Sequence, residues 1–255
     1  MLESSLSSSQ SEASVAPGIG TLFGVGVGPG DPDLITIKAL ETIRKVPAIA
    51  FPAGVNGKPG IAEQIAERWV HPRQTKISLA FPYVLDSDTL SEAWKVASET
   101  VWSYLAQGQD VTFLCEGDIS FYSTFTYLAQ TLLQNHPDLR VEAIPGVCSP
   151  MAAAAALGIP LTTQGQKLVV LPALYTVADL ETTLDEADVV VLMKVKSVYE
   201  KVWQMLNRRN LLEHSAVVEW ATWPQQKIYT PLSDRPSLDL SYFSLLIVQK
   251  QPFSL

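Results

Sequence analysis

From residue 21 onward, short apolar runs alternate with longer stretches whose apolar residues recur every three or four positions. The runs at 21–27, 48–53, 76–81, 111–117 and 141–145 read as buried strands. The stretches at 34–45, 61–70, 90–107 and 122–134 carry helical spacing. Such alternation predicts βαβ units and a mainly parallel sheet with helices on both faces. After Gly146 the pattern changes. An alanine-rich helix at 151–157 is stopped by Gly158 and Pro160, and strands at 167–171 and 189–194 flank a helix near 177–184. A helix at 198–207 follows, and then 216–221, 227–231 and 242–248 come strand after strand, which predicts a mixed sheet with antiparallel members. The expected fold is therefore α/β in two domains, 19–147 with a mainly parallel N-terminal sheet and 148–255 with a mixed C-terminal sheet. Residues 1–18, rich in serine, read as a flexible tail.

Composition narrows the chemistry. With 47% hydrophobic and 17% charged residues the chain has enough apolar material for substantial cores. A net charge of -8 argues against nucleic acid as a partner, and any anionic ligand must be met by local cations. Cys115 and Cys148 have no zinc-ligand spacing and build no disulfide framework; they read as small buried hydrophobes of a reducing compartment. No apolar run is long enough for a membrane span, and the first Lys or Arg is Lys38, unlike the basic start of a secretory leader. A cytoplasmic protein without a metal site is expected. His71, His136 and His214 stand alone in the sequence and read as surface histidines.

The first strand runs into Gly24-Val25-Gly26-Val27-Gly28-Pro29-Gly30-Asp31-Pro32. Glycines there suggest close approach of backbone to a ligand, and Asp31-Pro32 reads as a capped helix start. A dinucleotide fingerprint is excluded, because its third glycine would fall on Pro29 or Asp31, and no phosphate loop with G-x-x-x-x-G-K occurs. Two more turns end strands on the same predicted edge. One is Cys115-Glu116-Gly117-Asp118, whose carboxylates suit a helix cap or a ligand hydroxyl or ammonium; the other is Pro145-Gly146-Val147-Cys148-Ser149. Glycine-bearing turns gathered on one edge point to a single ligand site.

At these turns the sequence resembles the tetrapyrrole methylase family. The resemblance spans 20–248 and rests on Gly26-Val27-Gly28-Pro29-Gly30-Asp31-Pro32, Gly117-Asp118 with Phe121-Tyr122, and Pro145-Gly146-Val147. The segments 113–118, 151–161, 218–222 and 242–246 narrow it to a branch whose acceptor is a meso carbon of an early corrin precursor. The resemblance implies a homodimer whose protomers bind S-adenosylmethionine, the methyl donor, in an interdomain cleft. It assigns the donor's contacts to Glu116, Gly117, Asp118, Phe121, Cys148, Ser149, Met193 and Ala221. Asp31 and Tyr122 are the candidates for contacts near the reacting centre. Two departures stand out. Ile119 replaces the family's usual proline, which removes a fixed φ and predicts a looser loop. Cys148 replaces a common Thr or Ser, so a hydroxyl contact is lost there.

The implied reaction passes a sulfonium methyl directly to a carbon nucleophile, with a tetrapyrrole as partner and alignment as the protein's main task. Some of Arg44, Lys45, Lys58, Arg68, Arg73 and Lys76 are expected to pair with the substrate's acidic side chains. Competing readings are a sister methylase acting elsewhere on the ring, diphthine synthase, and a non-catalytic tetrapyrrole-binding module.

Overall fold

The computed structural model describes residues 18–54, 58–82, 87–172 and 177–251; the expected tail over 1–18 lies outside them except for Gly18. Strands β1 (Leu22–Gly26), β2 (Ala48–Pro52), β3 (Thr75–Leu79), β4 (Val111–Cys115) and β5 (Val141–Ile144) form one sheet in the order β3-β2-β4-β1-β5, parallel throughout. Helices α1 (Ile37–Lys45), α2 (Ile61–Ala66), α3 (Ser87–Leu105) and α4 (Phe125–Asn135) connect them. The strands are apolar on both faces because each face is covered. Ala48, Ala50, Val111 and Phe113 point into one core with Val101 of α3 and Leu128 of α4. Their neighbours Ile49, Phe51 and Leu114 point into the other, with Ile43 of α1 and Ile65 of α2. This is the two-residue alternation of a pleated strand, buried on both sides.

The chain then passes through α5 (Ser149–Leu157) to a second sheet of β6 (Leu168–Pro172), β7 (Val189–Met193), β8 (Ser215–Glu219), β9 (Lys227–Tyr229) and β10 (Ser244–Gln249). Its order is β6-β7-β10-β8-β9; β6 and β7 are parallel, whereas β10 is antiparallel to both its neighbours and β9 to β8. Val190, Leu192, Leu246 and Val248 face a core shared with α6 (Val177–Glu186) and α7 (Tyr199–Arg208). Val189, Val191, Leu245 and Ile247 face Ala152 and Ala153 of α5. The expected parallel sheet, mixed sheet and alanine-rich helix are all present.

Two local expectations change. Asp31 does not open an α-helix. It caps a 3-10 turn at Pro32–Leu34, Ile35 is extended, and α1 starts afresh behind Thr36, whose hydroxyl accepts from the Ala39 N–H at 3.2 Å. Ile119, expected in a looser loop, has its side chain 3% exposed and part of the core under α3 and α4. Burial of the larger apolar side chain replaces the constraint of a proline ring.

Candidate functional site

Because β1 lies between β4 and β5, the turns that follow these three strands emerge side by side. They are laced together through backbone. Gly28 N–H donates to the Gly117 carbonyl at 3.1 Å, Gly117 N–H returns to the Gly28 carbonyl at 2.7 Å, and Gly146 N–H donates to Asp118 Oδ2 at 2.9 Å. A Cβ on Gly146 would lie 2.3 Å from the Gly117 carbonyl oxygen and 2.7 Å from the Gly26 carbonyl carbon. Its missing side chain therefore admits another turn rather than a ligand. Gly30 has a similar task toward the second sheet, since a Cβ there would sit 2.2 Å from the Trp223 ring. Trp223 Nε1 donates to the Pro29 carbonyl and Asp31 N–H to Thr222 Oγ1, both at 2.9 Å. The sequence had suggested close ligand approach for these glycines. The mutual packing of turns and sheets is what requires them.

The turns form one wall of a cavity of about 570 Å³, inside the range of small-molecule sites. The opposite wall comes from one end of the second sheet. β7 and β8 run in the same direction with β10 reversed between them, so the residues after β7, those after β8 and those before β10 converge there. Glu116, Gly117, Asp118, Phe121, Cys148, Ser149, Met193 and Ala221 all line the cavity, and Tyr122 does too. Asp31 is not among the lining residues; its carboxylate accepts from the Asp33 N–H at 2.8 Å. Nor are any of Arg44, Lys45, Lys58, Arg68, Arg73 and Lys76. Arg68 pairs with Asp33 and Lys76 with Glu63, on the outside of the first domain's helices. The lining cations are instead Lys194 and Lys196, which the sequence reading missed, along with Trp220, Trp223 and Tyr242. No glycine motif marks these side chains. A partial signal was the run of aromatics in the segments around 220 and 242.

Asp118 is the polar hub of the first wall. Burial would raise its pKa, but the Ser120 hydroxyl and the N–H groups of Gly146, Ser120 and Ile119 outweigh that and hold it below its usual value of 3.8. It is therefore an acceptor, already engaged, and no helix cap: α4 begins only at Phe125. Burial, then the charge of Glu116, pushes the Cys115 thiol up to about 12. Burial, then the charge of Asp118, pushes Cys148 to about 11. Neither is a thiolate nucleophile near neutral pH. Among the described residues no group of three His, Cys, Asp or Glu is placed to hold a metal ion.

Backbone strain gathers at the same place. Tyr122 (φ 52°), Lys194 (φ 55°) and Trp220 (φ 53°) line the cavity in the left-handed region, and Thr222 (φ 69°) lies one residue beyond the lining residue Ala221. Such conformations cost on the order of 1–3 kcal/mol each and mark sites where a direction of approach is being enforced. Tyr122 also reaches the second sheet, its hydroxyl donating to the Val170 carbonyl of β6 at 3.2 Å.

The arrangement fits S-adenosylmethionine. Gly117 (φ 71°) meets nothing within 4 Å on its side-chain side and leaves backbone open to the cavity. The N-terminus of α5 has no side-chain cap at Cys148, so free N–H groups stand beside the lining residue Ser149. Glu116 supplies an exposed carboxylate for an ammonium or hydroxyl, and Phe121, Met193 and Ala221 supply apolar surface.

The profile of the tetrapyrrole (corrin/porphyrin) methylases matches residues 21–235, and the chain belongs to that family. It is a methyltransferase with S-adenosylmethionine as methyl donor and a tetrapyrrole as acceptor. It is 35% identical over 231 residues to a probable cobalt-precorrin-2 C(20)-methyltransferase of Methanocaldococcus jannaschii, covering 90% of this chain and 96% of the relative. It is 30% identical over 239 residues to a precorrin-2 C(20)-methyltransferase of Sinorhizobium sp, covering 91% and 96%. Its fold is that of a crystallised cobalt precorrin-4 methyltransferase, with a TM-score of 0.67, 21% identity, and 91% and 96% of the two chains covered. Among the described residues no helix is long and apolar enough to cross a membrane.

Proposed function

We propose that the acceptor is C(20), a meso carbon, of precorrin-2 or of its cobalt-bearing form, cobalt-factor II. The observation that carries this is identity of 35% to a relative of that description across nearly the whole of both chains. The donor brings an electrophilic methyl on a positively charged sulfur. C(20) attacks that methyl, the S–CH3 bond breaks to release S-adenosylhomocysteine, and the C(20) proton is then lost to water, so the protein's main task is placement. In this reading Glu116, Gly117, Asp118, Phe121, Cys148, Ser149, Met193 and Ala221 hold the donor, and Tyr122 and Asp31 act near the acceptor carbon. Tyr122 does so from the cavity wall and Asp31 from the turn just behind Pro29. Holding two reactants aligned contributes on the order of 7–11 kcal/mol, enough to make a strong base unnecessary for the transfer itself.

We read the chain as two domains, 19–147 and 148–255, because α5 packs on the second sheet rather than the first. A homodimer in the cytoplasm completes the proposal. Light scattering on the purified protein gives the subunit number directly.

The function is tested by incubating the protein with S-adenosylmethionine and either metal-free precorrin-2 or cobalt-factor II. Mass spectrometry then reads the product, and NMR locates the new methyl. A gain of one methyl at C(20) is expected. A methyl at another ring position assigns the chain to a sister activity, and binding without any gain reduces it to a tetrapyrrole carrier.

A further inference from the structure

The acceptor is an acidic molecule, and a protein of net charge -8 repels it unless cations stand at the site itself. Among the described residues that line the cavity, Lys194 and Lys196 are the positive ones. Both lie on the second wall, across from Glu116 and Asp118 on the first, so the cavity has an anionic side and a cationic side. Neither lysine forms an ion pair with a described residue, whereas the lysines at 76 and 227 do.

Three features show that Lys194 is placed rather than merely present. It follows β7 in the left-handed region (φ 55°, ψ 41°), where glycine would sit without penalty; a long cationic side chain is kept there despite its cost. The antiparallel pairing of Leu245 with Met193 brings the segment before β10 alongside the residues after β7, and Lys194 Nζ lies 5.0 Å from the centroid of the Tyr242 ring. That contact stabilises an ammonium without neutralising it, which leaves its charge available to a ligand. Lys196 sits two residues on, in the 3-10 turn Val195–Ser197, and is exposed at the rim.

We propose that Lys194 and Lys196 form a carboxylate-recognition site that orients the tetrapyrrole through its acidic side chains, Lys194 being fixed by Tyr242. The inference rests on the reading of the acceptor as a tetrapyrrole. Carboxylates reach the cavity from two sources, the tetrapyrrole and the amino-acid end of the donor, and steady-state kinetics with each substrate varied in turn separates them. Lys194→Gln keeps the stem and the backbone conformation while removing the charge. It is expected to raise KM for the tetrapyrrole about tenfold, and Lys196→Gln about threefold, with kcat falling as orientation is lost and KM for S-adenosylmethionine changed less than about twofold. Lys194→Arg restores most of the loss. The gap in tetrapyrrole KM between wild type and the double variant is expected to narrow as ionic strength rises, because salt screens the lysine–carboxylate attraction. The exposed Lys196→Gln keeps the test open if substitution at Lys194 impairs folding. An unchanged tetrapyrrole KM in both variants overturns the inference, and a rise confined to the KM for S-adenosylmethionine reassigns the lysines to the donor. A wild-type protein that methylates no tetrapyrrole overturns the underlying functional reading, and this inference with it.

Discussion

The two walls of the cavity are made of different material. On the N-terminal side three turns meet through backbone: Gly28 with Gly117, Gly146 with Gly117 and Gly26, and one carboxylate, Asp118, drawn in as a pin. On the C-terminal side the backbone is bent into left-handed conformations at Lys194, Trp220 and Thr222, and what faces the cavity is long side chains. The first wall suits a ligand held by N–H and carbonyl groups, which few substitutions can alter without dismantling the turn. The second suits a ligand read by shape and charge. A methyltransferase has two such ligands, a constant donor and an acceptor that differs between family members. In the proposed reading the laced wall carries most of the donor's contacts, Met193 and Ala221 being the donor contacts on the side-chain wall, and the rest of that side-chain wall is free to vary.

The sharpest way to break the comparison is at Gly146. Gly146→Ala puts a methyl 2.3 Å from the Gly117 carbonyl oxygen, with backbone rather than flexible side chain in the way. Overpacking of this kind costs about 3 kcal/mol. The expected outcome is a Tm lower by several degrees and donor binding weakened by more than about tenfold in calorimetry. Donor binding unchanged despite the lower Tm would show that the lacing of turns does not shape that wall.

Asp118→Ala is next in size. It strands the Gly146 N–H, at a cost of about 1–2 kcal/mol. The effect is pH-dependent, and its sign is fixed. The folded-state pKa lies below the usual 3.8, so the carboxylate's contribution to stability is present above that value and is lost as pH falls through the folded one. Thermal melts of wild type and variant, well separated at neutral pH, should converge below about pH 4. A constant gap down to pH 2 would mean that Asp118 stabilises the turn by packing and not by charge. Trp223→Phe tests how the two walls are held against each other. It removes the 2.9 Å hydrogen bond to the Pro29 carbonyl but keeps most of the ring over Gly30, and should cost about 1 kcal/mol in urea unfolding. KM for both substrates should rise together, since each wall is displaced relative to the other.

The same contrast explains what the sequence revealed. Backbone sites need glycine and proline at fixed places, and those residues punctuate a sequence visibly. The turns at 26–32, 115–118 and 145–149 were therefore legible, and with them one edge of one sheet. The parallel sheet was legible because strands buried on both faces, such as 111–115, read as unbroken apolar runs. Lys194 and Tyr242 were not, because their meeting depends on β10 entering between β7 and β8 with Leu245 opposite Met193, a register that no local pattern specifies. The cations chosen from the sequence failed for the same reason: Arg68 and Lys76 lie near the right strands in the chain but face outward. Asp31 was read as an α-helix cap because Asp-Pro is a good one, yet extended Ile35 ends that turn after three residues.

The smallest effect is expected where the two walls meet, at Cys148. It is the N-cap of α5, and beyond a contact with the Ser149 N–H its thiol makes no capping hydrogen bond to that helix. Its thiol is pushed up to about 11, by burial and then by the charge of Asp118, so it stays protonated at pH 8. Cys148→Ser substitutes a better capping group of similar size. It should raise stability by about 0.5–1 kcal/mol and leave kcat within about threefold. In the wild type, alkylation by iodoacetamide at pH 8 should be far slower than for an unburied thiol, and methyl transfer should show no inflection between pH 6 and 9 from this group. Rapid alkylation together with loss of turnover on serine substitution would mean that the sulfur itself touches the reactants. The backbone reading of the first wall would then have to give way at its last residue.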